Sequence, residues 1–470
     1  MENLKSPWVH QIVRSRPIYM LQTDLVCDIC IVGGGISGIM SAYQILKNTR
    51  RNVVIIDSHE IGHGATGHNA GQLVDELERS VASLVEEFGL EKTIEGLRSV
   101  HSGWAILEEI VQEAKLSIPY STFEGYSMYS TKKQIFDQLL DISLMHQGGM
   151  QPKKMYISEQ HVHTLSIPDM YSEYYQVIPH ESVLSIGETK NPTYIAAFPS
   201  KRGCLNSALL VEQLATYLTE TYSVDRCKIY ENTLVNVIDL DTGSIAIHIG
   251  LNNKTICAET LLLCTNGFEH FTINDLTQKI NHSFHKNVKG VIGYMLAQTE
   301  EIDHIPSAFS YCDPSYDIIA PDVLTAGINT SRDIAYAGDY VYTTRRPYDI
   351  GHEEPKNLFC LGGKARVVED STTYLKSHIY LPAIKREYED FIASNFNSKK
   401  DEAGHREFVW HGLMGYTRNG VRMVGFEKKN SLLMYNLGCN GVGILPAVWS
   451  GKRIANLLLG DKTISMFDPK

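Results

Sequence analysis

Hydrophobic positions along the chain change their period in a way that marks out successive elements. A short apolar run, Ile29 to Val32, meets Gly33, Gly34 and Gly35, and then Ile36, Ile39, Met40, Tyr43, Ile45 and Leu46 recur at helical spacing. That pattern predicts a strand, a tight turn and a helix. A second apolar run, Val53 to Ile56, predicts another strand and ends in Asp57. Beyond Gln72 the positions Leu77, Val81, Leu84, Val85 and Phe88, then Leu97, Trp104, Leu107 and Ile110, predict a largely helical region.

From about Pro119 the texture shifts to short segments rich in Tyr, Ser and Thr. Gly125 to Thr131 reads as strand, Lys132 to His146 as helix, and the chain to Pro199 as strand-rich and irregular. A helix over Asn206 to Glu220, capped by Asn206, precedes strands at Leu234 to Asp239, Ile245 to Ile249 and Leu261 to Cys264. Val288 to Val367 again reads as antiparallel strands. A helix is expected over Ser371 to Asn395. The last unit is a strand at Leu432 to Leu437, a glycine-rich turn, and a helix from Pro446 to Leu459 with proline in its first turn.

The spacing Gly33-x-Gly35-x-x-Gly38 adds chemistry to the first of these units. Gly33 permits the turn, Gly35 lets a pyrophosphate touch the backbone, and Gly38 lets helix and strand pack closely. The helix start, including Ile36 and Ser37, offers unpaired N–H groups and the positive end of its dipole to the phosphates. Asp57, about 24 residues after Gly33 and followed by Ser58, is placed to bond an adenosine ribose. The unit by itself leaves open whether the dinucleotide is NAD or FAD.

Composition narrows the class. With 43% hydrophobic and 21% charged residues among 470, the chain reads as globular, and its net charge of -11 argues against a nucleic-acid surface. No apolar run approaches the roughly 18 residues of a membrane span, and the first 20 residues lack the apolar core of a signal peptide. They read as a surface-packed arm. Nine scattered cysteines suit a reducing compartment, so cytoplasm is the expectation. Cys27 and Cys30 lie three apart in a strand and are expected to face opposite sides as buried thiols. His161, His163, His282 and His285 lack partners at zinc spacing, and no metal is assigned.

Four blocks carry a resemblance: IVGGGISG at Ile31 to Gly38, GATGHNAGQ at Gly64 to Gln72, the Thr233 to Gly267 strands ending in LLLCTNG, and GLMGYTRNGVRMVG with NLGCNGVGILPAVWSGKRIA at the carboxyl end. In this order they resemble the D-amino acid oxidase-like family of FAD-dependent oxidoreductases, which includes glycine oxidase, sarcosine oxidase, dimethylglycine dehydrogenase and γ-glutamylputrescine oxidase. The resemblance makes the dinucleotide FAD. It implies an α/β protein, α+β overall, with a discontinuous Rossmann-type FAD-binding domain over 25–115, 200–285 and 405–470. A substrate domain on an antiparallel sheet would cover 116–199 and 286–404, and residues 1–24 would form the arm.

In such proteins the loop matching Gly64, Ala65, Thr66, His68, Asn69, Ala70, Gly71 and Gln72 runs beside the isoalloxazine. The turn matching Asn440, Gly441, Val442, Gly443 and Ile444 points at its pyrimidine side. Val235, the Thr265, Asn266 and Gly267 stretch, and Gly412 and Gly415 complete the expected cofactor contacts. The implied reaction is hydride removal from a carbon bearing an amine, giving an imine that water hydrolyses. Its partners are a small amine or amino acid and oxygen or another electron acceptor. A flavin-dependent 2-hydroxy-acid dehydrogenase and an FAD-binding protein without turnover are the alternatives.

The chain departs from the family at two places. Met414 stands where amino-acid oxidising members carry an arginine that clamps a carboxylate. Either the substrate has no α-carboxylate, or Arg345, Arg346 or Arg366 takes that role. His68 occupies a position where the dimethylglycine dehydrogenase branch has a histidine bonded covalently to flavin. Its neighbours Gly67 and Asn69 fit the noncovalent pattern better, and the covalent cysteine of the sarcosine oxidase branch would fall near Met414. Tyr416, Tyr342 and Tyr294 are the expected aromatic wall, and Lys364 is the candidate for assisting oxygen activation.

Overall fold

The computed structural model describes residues 6–250, 253–276, 288–302, 305–312, 340–350, 354–368, 370–397 and 406–469. Two mixed sheets organise them. In the first, the Leu25–Val32 strand lies between Val53–Ile56 and Lys254–Leu263, parallel to both, with Val32 opposite Ile56 and Leu263. Cys227–Tyr230 and Leu433–Leu437 extend it in parallel on either side. The Val235–Leu240 and Ile245–Ile249 strands add antiparallel pairs.

The parallel strands are apolar on both faces because both are covered. Ile29, Ile31, Val53 and Ile55 pack against the Ile36–Asn48, Ser207–Thr221 and Ile444–Leu458 helices. Cys30, Val32, Val54 and Ile56 fill the opposite side with Leu21, Ile238 and Ile247. Asn206 caps its helix as expected, its side chain accepting from Ala208 N and Leu209 N at 3.0 Å each. Cys27 and Cys30 do not face opposite sides. Both thiols lie in the same cluster, so strict alternation fails between Cys27 and Ile29. Both are free and buried.

The second sheet has ten strands. Glu407–Thr417, Val288–Glu300, Lys356–Val368, Tyr340–Tyr348 and Ser307–Cys312 form an antiparallel ladder. The sheet is mixed rather than wholly antiparallel, since Ser307–Cys312 runs parallel to Tyr120–Tyr129 and Met155–Ser158 parallel to Tyr175–Ile178. Glu407–Thr417, expected with the FAD-binding segments, hydrogen-bonds along Val288–Glu300 here, and Ala196–Leu205 also belongs to this sheet.

The helix expected from Ser371 begins only at Pro382 and ends at Asn395, because proline fits the first turn and holds the preceding Leu381 extended. The arm is not a surface appendage. Trp8 and Leu21 are fully buried, Trp8 stacking edge-on to Trp410 with ring centres 6.2 Å apart. No helix among the described residues is long and apolar enough to cross a membrane.

Candidate active site

The strand-turn-helix unit closes tightly. Gly33 has φ +110°, and a β-carbon there would come within 2.5 Å of the Cys264 carbonyl oxygen. At Gly38 a β-carbon would meet the Gly33 oxygen at 1.9 Å, so only glycine lets the helix sit this close to the strand. Asp57 accepts from Gly34 N at 2.7 Å and from His59 N at 2.8 Å. Burial lifts its carboxyl to about 6, while those two N–H bonds pull the other way. Thr66 Oγ1 accepts from Ile36 N at 3.0 Å, tying the GATGHNAGQ loop to the first turn of the helix.

Arg422, which the sequence reading did not single out, is buried beside this turn. Its Nη2 bonds to Ser37 Oγ and its Nε to Asn436 Oδ1 at 2.7 Å. No carboxylate among the described residues pairs with it, and burial pulls the guanidinium down to about 10. A buried cation with only neutral partners is costly unless a bound anion completes it. The only sequence signal was a charge flanked by Val421 and Met423 just ahead of a strand.

The loop itself is anchored from outside the cavity. Asn69 donates to Ser207 Oγ at 2.8 Å and accepts from Gly71 N at 2.7 Å, while Trp8 Nε1 bonds to the Asn69 carbonyl. His68 Nδ1 meets the Gly64 oxygen at 2.9 Å, and burial drops the imidazole to about 4, so the ring is neutral. Gly412 is required behind it, because a β-carbon would reach the His68 oxygen at 2.4 Å.

A junction of backbone and amide groups holds the carboxyl-terminal turn. Asn266 Oδ1 accepts from Cys439 N at 2.8 Å, and Asn440 Oδ1 accepts from Thr417 N at 2.8 Å. Gly415 presses against the Asn266 oxygen. Gly38, Gly267, Gly415 and Asn440 thus shape the cavity from behind, whereas Thr265, Asn266, Gly441, Val442, Gly443 and Ile444 line it.

These elements enclose one continuous cavity of about 1650 Å³, larger than the roughly 300–1,000 Å³ of a drug-sized site. Gly33, Gly35, Ile36, Ser37, Asp57 and Ser58 line one end. Gly64, Ala65, Thr66, Ala70, Gly71 and Gln72 follow along its wall with His68 and Asn69, and Val235 and Gly412 also border it. Tyr342, Met414, Tyr340 and Glu78 stand on the side of the second sheet.

Other expected substrate residues lie elsewhere. Arg346 is buried with its guanidinium 4.1 Å over the Trp8 ring and bonded to Gln11 and the Pro347 oxygen. Arg345 is held by Glu300 at 2.7 Å and Glu188 at 2.6 Å. Arg366 is exposed. Lys364 pairs with Glu387 at 2.8 Å, Tyr294 packs against Tyr380 and His411, and Tyr416 sits behind Gly441. His161 bonds to Ser158 Oγ, and His282 and His285 lie outside the described residues. Among the described residues no three His, Cys, Asp or Glu side chains gather as a metal site.

The glycine turn, the uncompensated Arg422 and the size of the cavity fit a dinucleotide. Comparison with known proteins shows the fold and the family. Glycine oxidase from Bacillus cereus superposes with a TM-score of 0.60 at 15% identity, over 92% of this chain and 95% of that one. L-amino acid deaminase from Proteus vulgaris does so with 0.62 at 14%, over 97% and 99%. At such identities the likeness shows the fold. A segment of 104 residues is 30% identical to γ-glutamylputrescine oxidoreductase of Escherichia coli, spanning 22% of this chain and about a quarter of that protein. From residue 28 to residue 457 the sequence matches the family described as FAD dependent oxidoreductase, and the chain belongs to that family, with FAD as its cofactor.

Proposed function

We propose that the protein oxidises the C–N bond of a small amine that carries no carboxylate beside the reacting carbon. The observation that carries this reading is Met414 in the cavity wall, with Arg345 and Arg346 committed to other partners and Arg366 at the surface. An α-carboxylate would find an apolar thioether where a guanidinium is needed. Bound FAD would accept the hydride from the substrate carbon, leaving an imine that water hydrolyses.

The chain supplies placement and dryness. Met414 and Tyr342 give the substrate carbon an apolar wall, and the Tyr342 hydroxyl is turned to Met295 Sδ at 3.2 Å. Similarity of one segment to a γ-glutamylputrescine oxidoreductase supports an amine over an amino acid. In this reading FAD has no covalent link through His68, whose Nδ1 meets the Gly64 carbonyl and whose neighbours Gly67 and Asn69 fit the noncovalent pattern.

The test is anaerobic reduction of the purified holoenzyme by primary and secondary amines, amino acids of both hands and 2-hydroxy acids, followed on the oxidised flavin band. Bleaching by amines that lack an α-carboxylate is expected. Bleaching by amino acids alone would remove the Met414 argument, and bleaching by hydroxy acids alone would overturn the C–N reading.

A further inference from the structure

Glu78 lies between the loop and the Val81–Phe88 helix, on the cavity side of the glycine turn. Its Oε1 accepts the Tyr340 hydroxyl at 2.9 Å. Its Oε2 has no hydrogen-bond donor among the described residues and lies 3.0 Å from where a β-carbon would stand on Gly441. The Tyr416 hydroxyl is 2.6 Å from the same point, and Glu78 and Gly441 both line the cavity.

Among the described residues, Arg79, Arg202 and Lys201 are already engaged. Arg79 pairs with Glu87 and donates to the Ser83 and Asn419 carbonyls at 2.8 and 2.9 Å. Arg202 has no exposed surface and bonds to the Ser127 and Ser310 hydroxyls at 2.6 and 3.0 Å. Lys201 lies 4.6 Å over the Trp104 ring. Glu78 is thus a half-buried acid in the cavity wall with one neutral donor, the Tyr340 phenol, an arrangement a bound cation would complete.

We propose that Glu78 pairs with the ammonium group of the amine substrate and takes its proton on Oε2. An N–H bond breaks, an O–H bond forms, and two opposite ions become a neutral amine and a neutral acid. The nitrogen lone pair that C–N oxidation requires is then available. The inference rests on the amine reading above. Burial lifts the Glu78 carboxyl to about 7, with the Tyr340 bond opposing the rise and Glu76 on the same stretch adding to it. A base of that strength exchanges a proton near neutral pH. Among the described residues, Tyr342 and Tyr416 are the other titratable groups beside it, and both are phenols.

The test uses FAD-loaded protein and two probes of one shape, n-butylammonium and neutral 1-butanol, titrated by perturbation of the flavin spectrum. Wild type should prefer the cation, and its affinity should fall as pH is lowered through about 7. Glu78→Gln should weaken butylammonium at least tenfold, leave butanol and flavin content unchanged, and abolish the pH dependence. Tyr340→Phe keeps the carboxylate and removes the opposing hydrogen bond, so the midpoint of the pH dependence should move upward. Equal binding of the cation by wild type and Glu78→Gln, or no preference for the cation in wild type, overturns the proposal even if amines reduce the flavin. A cation site that depends on Glu78 in a protein reduced by hydroxy acids alone would overturn the amine reading and the proton transfer with it, leaving only cation binding at Glu78.

Discussion

At the scale of single residues, the site depends on a buried cation, Arg422, and a half-buried acid, Glu78, neither of which pairs with an opposite charge among the described residues. If the diphosphate of the cofactor completes Arg422, Arg422→Met should weaken FAD binding by about 2 kcal/mol, roughly thirtyfold. Reconstitution of the apoprotein, read by quenching of flavin fluorescence, measures this, and an unchanged Kd would remove Arg422 from the cofactor site. Glu78 acts on stability in the opposite sense. Its folded carboxyl lies at about 7, above the roughly 4.3 of an unfolded glutamate, so its contribution is full at low pH and is lost as pH rises through about 7. Glu78→Gln should therefore melt higher than wild type at pH 8 without substrate, with the difference shrinking toward pH 5. Parallel melting curves at every pH would contradict the burial of that charge. Neither residue was legible in the sequence, because a charge in DELERS or in NGVRMV reads like any solvated one until the chain around it is folded.

At the scale of elements, the glycine turn, the first two strands and the Asn206 cap were legible because each is a local pattern, fixed by period or by the steric needs of one turn. The arm was not. Nothing in Ser6 to Leu21 tells that Trp8 closes the back of the flavin loop, where its indole bonds to the Asn69 carbonyl and Arg346 lies over its ring. Trp8→Ala should cost about 3–5 kcal/mol of stability, the usual cost of truncating a fully buried aromatic. Chemical denaturation of the holoprotein reads that loss, and release of FAD at lower denaturant than unfolding would show that the loop loosens first. A loss below 1 kcal/mol would mean that the arm is dispensable.

At the scale of the molecule, the cavity is bordered by both sheets. The first contributes the glycine turn and Asp57, and the second contributes Gly412, Met414 and Tyr342. A ligand held by both binds the folded state alone and stabilises it by mass action. Removing FAD should lower the melting temperature of the whole chain and make it depend on added FAD, rising by an amount that corresponds to about 2.7 kcal/mol at a hundredfold excess over Kd. Differential scanning fluorimetry over a range of FAD concentrations checks this. Precipitation of the holoprotein in acid should release the flavin to the supernatant, and flavin that stays in the pellet would mean a covalent bond.

The sequence alone determined the nucleotide-binding unit, the order of elements and, through its four blocks, the family. These rest on short-range regularities, on glycines whose neighbours in sequence are also their neighbours in space, and on motifs that span the chain. Only the tertiary structure decided that Arg346, Lys364 and Tyr294 point elsewhere, that Glu407–Thr417 joins the second sheet, and that Arg422 and Glu78 reach the cavity. The side a strand residue faces depends on which partner the strand finds and in what register. The cost of a buried charge likewise depends on everything packed around it, and neither is written in the residues nearby.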